Sequence, residues 1–196
     1  MNDFQQGSLE VVCGPMFSGK SEELIRRLKR VQISGKSFLL FRPAIDNRYD
    51  ATHVVSHDQR KLQAVITGTG ENAASEMEKI VTEKNPEIIA FDEGNFYGNQ
   101  IVEPIKKWIS EGKRVIVAGL DTDFKGETFG PMGELLAIAD HVDKLKAICM
   151  CCRNREAVMT QRLINGKPAK YSDPLILVGG FDSYEARCRE CHEISE

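Results

Sequence analysis

Three groups of residues have the types and spacings that chemistry requires. The first is Gly14-Pro15-Met16-Phe17-Ser18-Gly19-Lys20-Ser21, which fits G-x-x-x-x-G-K-[ST]. The glycines let the backbone curl tightly, so that successive N–H groups face the phosphate oxygens of a nucleoside triphosphate. Lys20 then reaches the β- and γ-phosphates and the Ser21 hydroxyl sits on Mg²⁺. A Gly-containing turn can match this pattern by chance, so the flanks decide. Residues 9–13 form an apolar run that predicts a buried strand, and residues 21–28 predict a helix leaving the loop, which is the context the motif needs.

The second group is Asp92-Glu93, directly after the apolar run 87–91. In a phosphate-loop protein, an Asp at the end of a later buried strand is the expected Mg²⁺ partner. Glu93 alternates to the other side of the strand end, so the two carboxylates need not share a task. In a transferase a carboxylate there can take the proton from an attacking hydroxyl; in a hydrolase it would polarise water.

The third group is two C-x-x-C pairs, Cys149/Cys152 and Cys188/Cys191. Each pair can present two thiolates on one turn, and four sulfur ligands suit a tetrahedral, structural Zn²⁺. Free thiols or a redox pair are the alternatives, and Cys151 and His192 are spare candidates for the metal. Cys13, in the first buried run, reads as a small core residue.

The elements that must position these groups follow from periodicity. Residues 37–41, 62–66, 87–91 and 114–121 predict further strands, and 71–83 and 101–109 predict amphipathic helices. Strands apolar throughout, alternating with helices, imply a mainly parallel sheet covered on both faces. In the first helix Leu24, Leu28 and Val31 face inward, while Arg26, Arg27, Lys29 and Arg30 are expected at the surface. Residues 42–63 form a long polar connection carrying Ser56-His57-Asp58, and such connections are commonly mobile or functional. Near Lys144 helical periodicity gives way to short β-like pieces with cysteines, which predicts a boundary there.

Composition limits the partners. A formal net charge of −3 and a pI near 5.9 argue against a general nucleic-acid or anionic-membrane surface. No run is long and apolar enough for a membrane helix, and residues 1–6 lack the features of a signal peptide, so the cytoplasm is the expected compartment. Six cysteines in that compartment point to metal ligands or reduced thiols.

Taken together, the sequence resembles the type II, or cellular-type, thymidine kinases over residues 8–192. The likeness rests on the Pro-Met-Phe inside the phosphate loop, on Phe91-Asp92-Glu93-Gly94, Gly119-Leu120-Asp121, and Phe124 with Phe129-Gly130. It continues through Cys149/Cys152, Thr160-Gln161-Arg162-Leu163, and Val178-Gly179-Gly180 with Tyr184 before Cys188. The resemblance implies a RecA-like core over residues 1–143 and a zinc-binding, β-rich lobe with a nucleoside-covering loop over residues 144–196. It implies transfer of the γ-phosphoryl group of ATP, with Mg²⁺, to the 5′-hydroxyl of thymidine or deoxyuridine, giving dTMP in nucleotide salvage.

The position of Glu93 is then the general base. Met16, Leu120, Phe124, Thr160 and Tyr184, with main-chain groups of Val178, Gly179 and Gly180, would surround the nucleoside. A homotetramer and feedback inhibition by dTTP are implied as well. Asn95 departs from the pattern, where Gln is usual, and residues 161–178 match it poorly. Without the resemblance, Met16 and Phe124 would read as core packing. An adenylate-kinase-like enzyme would carry a mid-chain cysteine lid of shorter spacing, and a GTPase would need an N-K-x-D motif that is missing. A nucleotide-switched nucleic-acid module would need a basic stripe between Cys149 and Cys191.

Overall fold

The computed structural model describes residues 6–44, 53–55, 61–175 and 182–196. Its main sheet has six strands: β1 (Ser8–Cys13), β2 (Phe38–Pro43), β5 (Val65–Thr67), β6 (Ile88–Phe91), β7 (Arg114–Gly119) and β8 (His141–Lys144). Their order is β5-β2-β6-β7-β1-β8, with every neighbouring pair parallel. This is the mainly parallel α/β core of a phosphate-loop fold, as the apolar runs predict.

Helix α1 (Lys20–Ile33) covers one face of the sheet. Its Leu24, Ile25, Leu28 and Val31 pack with Val12, Leu40, Ala90, Ile116 and Ala118. Helices α2 (Ala73–Lys84), α3 (Val102–Ser110) and α4 (Met132–Ile138) cover the other. There Met77, Val81, Ile105, Trp108 and Leu135 meet Leu9, Val11, Phe91 and Val117. Each fully buried aliphatic or aromatic side chain contributes roughly 1.5–3 kcal/mol, and two such layers account for the stability of strands with no polar face. Among the described residues no helix is long and apolar enough to cross a membrane.

Three sequence expectations change. The alternation over residues 62–66 is not one strand. β3 (His53–Val55) and β4 (Lys61–Gln63) pair antiparallel, and the chain then passes buried Ala64 into β5, which joins β2. Alternation records burial, which both pairings satisfy here. Second, α4 and β8 lie in a stretch assigned no element, because α4 has only 7 residues and β8 is largely exposed.

Third, Arg27 is not a surface cation. It is 8% exposed, and its guanidinium meets Glu10 at 2.6 Å, Glu23 at 2.8 Å and Asp143. Glu10 sits between apolar Leu9 and Val11 in β1, on the α1 side, where Arg27 and Arg114 neutralise it. Those partners outweigh the upward push of burial and hold Glu10 below the ordinary carboxylate range.

After β8 the chain forms small β pieces: β9 (Ala147–Ile148) with β10 (Glu156–Ala157), and β11 (Met159–Ile164) between β12 (Lys167–Pro168) and β13 (Asp182–Arg187), all antiparallel. Among the described residues, Cys149, Ala157, Ala186 and Cys188 cluster at the cysteine turns, and Met159, Leu163 and Ala169 are buried nearby in the chain.

Candidate active site

The phosphate loop lies between β1 and α1 with the strained backbone its sequence permits. Gly14 has φ 137° and Gly19 φ 84°. A Cβ on Gly14 would come within 2.3 Å of the Leu145 carbonyl oxygen, so only glycine fits. Phe17 also takes a positive φ, 63°, and turns its ring outward. Ser18 Oγ donates to the Pro15 carbonyl at 2.8 Å and closes the turn. Lys20 Nζ donates to the same carbonyl at 2.6 Å, so the cation lies across the loop. Burial pushes the Lys20 ammonium down to about 8, against the opposing pull of Asp92, Asp121, Cys13 and Glu93.

Asp92 and Glu93 follow β6, next to this loop. Asp92 is 3% exposed and its Oδ1 accepts a hydrogen bond from Ser21 Oγ at 3.0 Å. The two residues expected at Mg²⁺ are therefore in contact, and a hydroxyl beside a carboxylate is a hard-oxygen donor set that fits that cation. Burial raises the Asp92 carboxyl, countered by the Ser21 hydrogen bond and the charges of Arg42 and Lys20.

Glu93 adopts a left-handed backbone, φ 53° and ψ 41°, and opens a short 3₁₀ turn over Gly94–Phe96. A glutamate held there costs of order 1 kcal/mol or more, and such strain clusters at functional sites. The turn separates the neighbours: Asp92 is buried, whereas the Glu93 side chain is 40% exposed.

The residues expected around a nucleoside come partly together. Met16 N donates to Thr160 Oγ1 at 3.1 Å, joining the phosphate loop to β11 across 144 positions. Leu120 follows β7, and its N–H is held by Asn95 Oδ1 at 2.9 Å. Asn95 is 2% exposed, and its Nδ2 lacks a partner among the described residues. Phe124 is 4% exposed, with the Arg162 guanidinium carbon 5.4 Å from its ring centroid. Tyr184, on β13, is paired with Arg162 of β11. Val178, Gly179 and Gly180 lie outside the described residues, as do Ser56, His57 and Asp58.

The four cysteines Cys149, Cys152, Cys188 and Cys191 come together, with their sulfurs all within 4.8 Å of one another. Cys152 Sγ and Cys188 Sγ are 4.0 Å apart. A tetrahedral zinc with Zn–S of about 2.3 Å needs sulfurs about 3.8 Å apart, so the set fits that ion. Burial would raise the Cys149 thiol, yet backbone N–H groups of Cys188, Cys152 and Cys151 lower it, while Cys191 is raised by hydrogen bonds from the neighbouring sulfurs: without a metal the four share protons. Cys151 and His192 stand outside the group; His192 Nε2 instead meets the Phe124 carbonyl at 2.8 Å. Cys13 is fully buried and its thiol is pushed up to about 11, first by burial, as befits a core residue.

Sequence reasoning gave no role to two further groups. Arg42, next to last in β2, has Nη2 3.9 Å from Glu93 Oε1, because Phe41 is in register with Phe91 on the neighbouring strand. Asp121, beyond β7, is buried and paired with Lys144 Nζ at 2.7 Å. Arg42 carried only its place near the C-terminal end of a buried strand, and Asp121 that place and the Gly119-Leu120-Asp121 match; neither signal says which strands are neighbours.

Loop, acidic pair and cysteine cluster thus occur in one chain in the expected order. A family model described as thymidine kinase matches residues 7–192, nearly the whole chain. The protein belongs to the thymidine kinase family.

Proposed function

We propose that the protein transfers the γ-phosphoryl group of ATP to the 5′-hydroxyl of thymidine or deoxyuridine, giving dTMP for nucleotide salvage. The observation that supports it most is the split between Asp92, buried on Ser21, and Glu93, held open beside the loop by a left-handed backbone. In this reading the backbone of residues 14–19 and Lys20 hold the triphosphate. Ser21 and Asp92 hold Mg²⁺, which when bound neutralises charge developing on the phosphate oxygens. Glu93 takes the proton of the 5′-hydroxyl as that oxygen attacks in line.

Met16, Leu120, Phe124, Thr160 and Tyr184 enclose the nucleoside, with main-chain groups of residues 178–180 closing over it. A flat pyrimidine suits stacking on Phe124 and apolar contact with Met16 and Leu120. One structural zinc on Cys149, Cys152, Cys188 and Cys191 cross-links a lobe of residues 144–196 to which residues 1–143 form the kinase unit. The end of β8 at Lys144 supports that division. Feedback inhibition by dTTP and assembly as a homotetramer belong to the same reading and rest on the family alone.

The test is ATP consumption with Mg²⁺ and, separately, thymidine, AMP or single-stranded DNA. Stimulation by thymidine alone, with 5′-dTMP as product, is the expected result. Stimulation by AMP or DNA in its place would overturn the proposal.

A further inference from the structure

The loop after β7 is cross-bonded within itself. Asp123 Oδ1 accepts from Lys125 N at 2.8 Å and Glu127 N at 3.1 Å. Asp123 N donates to the Glu127 carbonyl at 2.9 Å, and Thr122 bridges Thr128. These bonds fix the loop's shape; Asp121 on Lys144, Phe129 against Phe96 and Glu127, which accepts from the Tyr171 hydroxyl, tie its two ends to the body of the protein. Phe124, at its turn, is placed from outside: Arg162 lies over its ring and His192 takes its carbonyl at 2.8 Å. A carbonyl only accepts, so Nε2 of His192 carries the proton of this bond.

His192 is itself held on both sides. Its N–H donates to the Cys188 carbonyl at 3.0 Å, within the turn that presents the second cysteine pair. The next residue, Glu193, exchanges two hydrogen bonds of 2.8 Å with the side chain of Gln161, adjacent to Thr160 on β11. One short chain of contacts therefore runs from the cysteine cluster through His192 to the backbone of Phe124.

We propose that His192 is a positioning residue for the nucleoside site: from the second cysteine turn it fixes the backbone of Phe124 and so the plane on which the base stacks. Phe124 as the stacking ring rests on the proposed function; the clamp itself does not. His192 is half-buried and belongs to none of the apolar clusters, so its replacement leaves them untouched.

The experiment uses the zinc-loaded full chain with His192→Ala and His192→Gln, the glutamine amide being a donor of similar reach. Zinc per chain, hydrogen exchange of residues 121–130 without nucleoside, and the kinetic constants are measured for each. In His192→Ala, exchange in that segment should rise about three- to tenfold and thymidine KM by a similar factor, the worth of one buried hydrogen bond. Zinc content, ATP KM and kcat should stay within about twofold of the parent, because neither the cluster nor the phosphate loop loses a contact. His192→Gln should restore both the exchange and the KM.

Unchanged exchange in His192→Ala, loss of zinc with it, failure of glutamine to restore it, or an unchanged thymidine KM would each overturn the proposal. If the parent does not phosphorylate thymidine, the proposed function falls, and the exchange of residues 121–130 still decides whether the clamp exists.

Discussion

Lys20 gives the phosphate loop a dependence on pH. In the free protein its ammonium is depressed to about 8 from an ordinary 10.5, mainly by burial. A bound triphosphate places several negative charges against Nζ and holds the proton through the whole accessible range. Binding then requires the protonated lysine, and the sign follows. Below pH 8 the proton is already present and affinity is flat. Above it, each binding event must first recover the proton, so Kd grows roughly by the factor 1 + 10^(pH − 8).

That is about 2-fold weaker binding at pH 8 and about 11-fold at pH 9, with about 0.5 and 0.9 protons taken up per nucleotide. The last ionisation of the triphosphate lies below about pH 7, so it does not interfere between pH 7.5 and 9.5. Calorimetric titration with ATP and Mg²⁺ in two buffers of different ionisation enthalpy gives both quantities. Lys20→Arg keeps its charge and should lose the slope. A flat Kd from pH 7.5 to 9.5 with no proton uptake would refute the reasoning, because Lys20 would then be charged before binding.

Glu93→Gln keeps the size of the side chain but cannot accept a proton, so kcat should fall about 10²–10⁴-fold with ATP and thymidine affinity little changed, as steady-state kinetics would report. Near-full turnover would remove Glu93 from that role. Chelation, or Cys188→Ser, should release zinc and melt the lobe by circular dichroism. Triphosphate affinity should weaken by no more than about tenfold, since among the described residues the lobe gives the loop one neutral hydrogen bond, from Met16 N to Thr160 Oγ1. Arg27→Met should lower unfolding stability by about 2–4 kcal/mol in denaturant titration, because Glu10 and Glu23 lose their buried partner. A change below about 0.5 kcal/mol would show the ion cluster to be a solvated surface feature.

What the sequence determined by itself is local. The phosphate loop was legible because its shape depends on neighbours in the chain: glycines at positive φ, a strand before and a helix after. Spacing of two residues sets each cysteine turn, and the period of Leu24, Leu28 and Val31 sets the buried face of α1. These need no knowledge of distant partners, since i, i+3 and i, i+4 neighbours meet in any helix. That Asp92 and Glu93 end a buried strand was readable for the same reason.

Tertiary structure alone decided what depends on the order of strands and on which loops touch. Arg42 comes to Glu93 because β2 lies beside β6, and nothing in either segment encodes that adjacency. Arg27 belongs inside because β8 brings Asp143 to the same guanidinium as Glu10, whereas on its own helix it is one basic residue among five. Asn95 finds the Leu120 N–H, Thr160 finds Met16, and His192 serves Phe124 rather than a metal. Such contacts span tens of residues and are fixed only when apolar faces have chosen their partners; a polar side chain's role then follows from the group the packing sets within about 3 Å of it.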